Sequence, residues 1–133
     1  DRYSSSFIGR YEDKVENQFY WYIRPQETGN KTDVRWLALL NSEGEGVKIT
    51  GLQPIAFSAL HFSPEDLDPG LTRKLQHTID IVPQKNIFLH VDLKQRGLGG
   101  DNSWGMYPYN KYRLLDKKYV YSYMIKLAEK GSD

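Results

Sequence analysis

The residues best placed to do chemistry lie in one short run, GLGGDNSWG, over residues 97–105. Its four glycines predict a loop that needs positive φ or close backbone approach. The run lacks the Gly-Lys-Ser/Thr ending of a phosphate-binding loop, and its glycine spacing does not fit a dinucleotide fingerprint. What it offers is Trp104 beside Asp101, Asn102 and Ser103. The apolar face of a pyranose can stack on an indole while short polar side chains bond its hydroxyls. Two readings follow. In one, Trp104 binds sugar and Gly99, Gly100, Asp101, Asn102 and Ser103 support the loop that presents it. In the other, Trp104 plugs the core and Asp101 closes a turn.

Other chemistries find less support. Glycoside hydrolysis needs two carboxyl groups, one acid and one base or nucleophile. Glu27 and Asp101 are present, but nothing in the sequence pairs them, so no catalytic residue is assigned. His61, His77 and His90 have no ligand spacing and read as packed or surface strand residues, so no metal site is assigned either. Cysteine is absent, which removes disulfides, thiolate zinc sites and thiol nucleophiles. Asn30-Lys31-Thr32 matches a glycosylation sequon of a kind common by chance. Tyr119, Tyr121 and Tyr123 share one strand face; packing is the weightier reading there, a stacking platform the other.

The elements around these residues read as strands. Residues 18–24 (QFYWYIR), 33–41 (DVRWLALLN), 47–50, 54–62 (PIAFSALHF), 77–82, 86–93 and 119–127 are strand candidates, separated by turn formers such as Glu43-Gly44-Glu45-Gly46. In 33–41 both faces are partly apolar, which predicts an internal strand. The helical exception is Ser63-Pro64-Glu65-Asp66-Leu67: a capping Ser, a Pro at the first helical position and acidic residues in the first turn. Pro69-Gly70 limits that helix to one or two turns. Six or seven short strands with turns about every ten residues predict an all-β fold, an antiparallel β-sandwich with one short helix.

Composition narrows the function classes. With 18 Lys and Arg against 17 Asp and Glu, the +1 net charge argues against nucleic acid and against a polybasic membrane surface. No run of ~18 apolar residues could span a membrane as a helix. The 14% aromatic share fits strands and flat ligands. The start Asp1-Arg2-Tyr3 has no Met and no leader features, so the chain reads as a segment of a longer protein. A (β/α)₈ barrel needs roughly 250 residues and cannot fit in 133.

Two motifs carry a resemblance. PQETGNKTDVRW, residues 25–36, resembles the P-Q-E-N-G-N-R-T-D-V-R-W pattern of the large bacterial β-galactosidases of glycoside hydrolase family 2. GLGGDNSWG is similar to that family's G-x-G-G-D-N/D-S-W signature near the C-terminus. Order and separation agree, and the resemblance covers essentially the whole chain. Thr28 stands where Asn is usual and Lys31 where Arg is usual. The resemblance implies roughly the C-terminal half of the family's last domain, a sandwich similar to galactose mutarotase. It implies that the catalytic glutamates, Mg2+ and, as a further candidate, Na+ belong to a barrel outside this chain, which itself holds no cofactor. It implies that Trp104 stacks on the sugar at the active-site mouth.

The first functional expectation is therefore residues 1–133 as an accessory domain of a retaining β-galactosidase, inactive alone. Its expected partners are the other domains of its parent, a β-galactoside and further copies in a homo-oligomer. The alternatives are a stand-alone carbohydrate-binding module and a structural domain for subunit assembly. The bacterial cytoplasm and the periplasm both remain open.

Overall fold

The computed structural model describes residues 7–21, 28–68, 70, 77–97, 99–102 and 104–128. Four strands form: β1 (Lys31–Leu40), β2 (Gly46–Leu60), β3 (Phe88–Asp92) and β4 (Tyr123–Ala128). They make one sheet in the order β1-β2-β3, with β4 also paired to β2. Both β1 and β4 run antiparallel to β2. The helix α1 (Pro64–Leu67) and short 3₁₀ turns complete the described elements. The fold is all-β with one short helix, as the turn spacing predicts.

The chain divides into two units, residues 30–58 with 90–133, and residues 1–29 with 59–89. In the first, the turn between β1 and β2 is built around Asn41. Its Oδ1 accepts from the amides of Glu43 and Glu45, both at 2.9 Å. Gly44 supplies the φ of +85° that this turn requires. The pleat then sorts the side chains. Leu37, Ile49 and Ile125 are cross-strand neighbours, as are Leu39, Val47 and Leu127, all on one face. The opposite face carries Trp36, Thr50 and Met124, and beside them Ala38, Lys48 and Lys126. There Lys48 Nζ lies 5.0 Å from the centre of the Trp36 ring. Leu37, Ile49, Ile55 and Ala56 are buried, whereas Ile125 and Leu127 are 60% and 80% exposed.

Residues 47–50 and 54–62, predicted as separate strands, are one strand with an irregularity between them. Pairing with β1 jumps from Trp36 opposite Thr50 to Val34 opposite Ile55. The four residues from Gly51 to Pro54 therefore face one residue of β1, a large bulge. Proline has no amide to give a ladder, so a bulge is where a strand tolerates it. At the bulge the Gln53 side chain bonds the residue before β4: its Nε2 donates to Ser122 O at 3.1 Å and its Oε1 accepts from the Ser122 amide at 3.2 Å.

In the second unit, Leu60, Phe62, Leu67 and Ile81 form a buried cluster against which Phe19 packs. The Phe19 and Phe62 rings lie 4.4 Å apart. The α1 start is a full capping box: Asp66 N donates to Ser63 Oγ at 3.2 Å and Ser63 N donates to Asp66 Oδ2 at 2.7 Å. Gln84 Nε2 donates to the same Oδ2 at 2.6 Å. His61 Nδ1 lies 2.9 Å from Gln84 O and 3.2 Å from Asn86 O. Carbonyls only accept, so Nδ1 carries the proton, and His61 straps this loop down as a structural residue.

Two predicted strands are corrected. Residues 77–82 fold as a 3₁₀ turn, Thr78–Asp80. The Asp80 carboxylate takes the His77 amide at 2.8 Å, a local bond that competes with a ladder. Ile79 and Val82 are exposed, so no apolar face rewards an extended form. The start of 18–24 is likewise not strand, because Gln18 ends the 3₁₀ turn Val15–Gln18; residues 22–27 lie outside the described residues.

Burial alone would push the Asp66 carboxyl up, but the hydrogen bonds from Ser63 and Gln84 outweigh it and hold the group below its ordinary range. A lowered folded-state pKa gives stability that is complete above the unfolded value of about 3.9 and lost as pH falls through the folded one. Asp66→Asn is therefore expected to cost about 1 kcal/mol at pH 7 and to flatten the loss of stability as pH falls below about 4. Denaturant melts across that range test it. An unchanged acid limb would show that the box does not contribute.

Candidate functional site

The loop after β3 is tied at its base by two backbone bonds. Gly97 N donates to Tyr112 O at 2.8 Å and Tyr109 N donates to Gly99 O at 2.9 Å. A 3₁₀ turn, Asn110–Tyr112, closes the returning limb. The glycines serve close approach here. None of Gly97, Gly99, Gly100 and Gly105 has positive φ. A Cβ on Gly99 would sit 2.5 Å from a carbon of the Tyr112 ring, so the ring packs where a side chain would stand.

Within the loop one side-chain atom organises the tip. Asn102 Oδ1 accepts from Trp104 N at 3.2 Å, Gly105 N at 2.9 Å and Met106 N at 3.2 Å. Asn and Asp favour this kind of local bonding because their short chains return to their own backbone. The neighbouring Asp101 carboxylate accepts a short hydrogen bond from the Tyr109 hydroxyl. That bond, followed by burial and by Tyr112, pushes the Tyr109 phenol above its ordinary value. On the returning limb, the Arg113 guanidinium lies 4.8 Å from the Tyr107 ring centre, and Lys111 Nζ 4.7 Å from that of Tyr112.

The tip presents its indole to solvent. Trp104 is 88% exposed, so it plugs no core in this chain. Met106 and Tyr107 beside it are also exposed. Ser103 lies outside the described residues, as does Glu27, so the carboxylate pair considered from the sequence is not described. The Asp101 carboxylate is engaged by Tyr109, a bracing contact. Among the described residues no three His, Asp or Glu side chains gather to hold a metal ion. Tyr121 donates its hydroxyl to Val91 O at 3.0 Å and lies 5.8 Å from the Tyr123 ring, while Tyr119 OH accepts from Asp116 N at 2.9 Å. The tyrosine run thus braces the approach to β4. Sequence reasoning missed Tyr109 and Tyr112. The signal was the spacing in YPYNKY, residues 107–112, which returns two tyrosines to the glycines.

An all-β domain that holds an exposed tryptophan on a braced loop defines the class. The chain matches the family described as Beta galactosidase small chain over residues 1–125, and it belongs to that family. It is 33% identical to the β-galactosidase of Priestia megaterium over 127 residues, 95% of this chain and 12% of that protein. Against the β-galactosidase of Streptococcus thermophilus it is 31% identical, over 94% of this chain and 12% of the relative. With Beta-galactosidase BgaC of Bifidobacterium adolescentis it shares 35% identity over 70% of this chain and 9% of that protein. The chain thus spans about a tenth of the length of the relatives it matches.

Proposed function

We propose that this chain is about the C-terminal half of the last, β-sandwich domain of a retaining family 2 β-galactosidase. It completes the active site by lending Trp104 to the galactosyl ring. The observation that carries this is the 88% exposed indole on a loop braced from within, in a chain of the small-chain family. The other layer of the sandwich, the catalytic carboxylates and the barrel belong, on this reading, to the rest of the parent. So, on the same reading, do the ions Mg2+ and Na+.

The isolated chain is expected to leave a chromogenic β-galactoside at the buffer rate and to show no saturable galactoside binding below millimolar concentrations. A Kd of 1 mM corresponds to about −4.1 kcal/mol. One aromatic side chain supplies roughly 1.5–3 kcal/mol at most by burial, before the cost of association. Calorimetric titration checks it. Saturable micromolar binding would instead identify a stand-alone carbohydrate-binding module.

The isolated chain is also expected to self-associate. Among the described residues β1 and β4 pair only with β2, and open edges recruit other chains. Ile125 and Leu127 add exposed apolar surface on β4. Light scattering should show a mass that rises with concentration, and Leu127→Lys should lower it. A monomer across the whole range would refute the expectation.

A further inference from the structure

Trp104 is too exposed for packing to hold it, so its position is set by its backbone. That backbone hangs on the Asn102 carboxamide, which takes the amides of Trp104, Gly105 and Met106. Asn102 is in turn the covalent neighbour of Asp101, and Asp101 is bonded to Tyr109. Tyr109 makes a second contact across the loop, from its amide to Gly99 O at 2.9 Å. One residue of the returning limb therefore grips the outgoing limb twice, once with main chain and once with side chain. The two grips fall on Gly99 and Asp101, directly before the residue that holds the tip.

We propose that Tyr109 is a positioning residue for Trp104: its hydroxyl bond to Asp101 and its amide bond to Gly99 latch the loop base so that Asn102 presents the indole in one place. This rests on the reading of Trp104 as a sugar contact. The backbone grip survives any side-chain change, so the hydroxyl is the part that mutation can remove. Without it the limb that carries Asn102 keeps only the backbone ties at Gly97 and Gly99, both before Asp101, and the presenting conformation becomes a fraction of the population. Apparent affinity falls in proportion to that fraction. A hydrogen bond to a charged acceptor is strong enough to shift such a balance severalfold. Once sugar is stacked, the loop is in its bound form in either protein, so the loss falls on KM and not on kcat.

The experiment uses the full-length β-galactosidase that carries this segment. Tyr109→Phe keeps the ring and removes the hydroxyl. It should raise KM for a chromogenic galactoside about three- to tenfold, with kcat within about twofold and the melting temperature unchanged within a few degrees. Asp101→Ala should act like Tyr109→Phe, and Asp101→Asn, which keeps an acceptor oxygen, should lie closer to wild type. The decisive measurement is the double-mutant cycle. If Tyr109 acts through Trp104, Tyr109→Phe should change KM less than about twofold in a Trp104→Ala background. Equal effects in both backgrounds would overturn the latch. So would a silent Tyr109→Phe beside an effective Trp104→Ala, with the sugar-contact reading left standing. A silent Trp104→Ala would overturn that reading and the latch together.

Discussion

Trp104→Ala in the full-length enzyme is expected to raise KM for galactosides by about tenfold or more, equivalent to about 1.4 kcal/mol or above. Thermal stability should barely move. The side chain is 88% exposed, and its loop is held by Asn102 and Asp101, not by the indole. Stacking holds the sugar in the ground state as well as the transition state, so its loss weakens capture more than chemistry. A buried aromatic would behave differently, with about 3–5 kcal/mol lost from stability and KM unchanged in whatever folds. KM and melting temperature measured on the same variant separate the two. Normal KM in a destabilised protein would end the sugar-contact reading.

The largest stability effect is expected at Leu67, the inward-facing residue of α1. It is 1% exposed and packs with Leu60, Phe62 and Ile81. Leu67→Ala removes that packing from a four-residue helix with no second buried anchor. The expected loss is about 2–5 kcal/mol, or roughly 10 °C in melting temperature for a chain of this size. Leu52→Ala is the control, because Leu52 is 72% exposed on the bulge and should cost within about 0.5 kcal/mol. Equal losses at the two positions would show that the cluster around Leu67 does not hold the unit together.

Features governed by adjacent residues were legible in the sequence. Ser63 to Leu67 could be read as a helix start because a cap, a proline and two acids act over one turn. The strand at 33–41 followed from its apolar run and the turn after it from Gly44 and Gly46, but the internal place predicted for that strand did not hold: among the described residues β1 pairs only with β2, because nothing in a strand's own residues names its neighbours. Residues 77–82 misled because Asp80 bonds the His77 amide locally, a choice that period-2 alternation does not encode. β2 read as two strands because Gly51 and Pro54 are turn formers. Only the partner strands show that the chain continues past them. At the site, the glycine loop and its tryptophan were legible by composition. The grip of Tyr109 on Asp101 was not, since it joins residues eight apart across a loop whose return path no propensity specifies.

The bulge at Gln53 bears on how β4 finds its place. In β4 and the residues before it, Tyr119, Tyr121, Tyr123, Ile125 and Leu127 alternate in step, so sliding the strand by two positions would leave the same kind of residue on that face. Hydrophobicity resists a slip of one residue and is nearly blind to a slip of two. A primary amide carries the same donor and acceptor as a peptide group. Gln53 therefore offers Ser122 a counterfeit main chain at one fixed point. Ser122 answers with main-chain groups alone, which every residue of the strand carries, so the carboxamide keeps the ladder continuous past the bulge and accepts alignments two residues apart equally well.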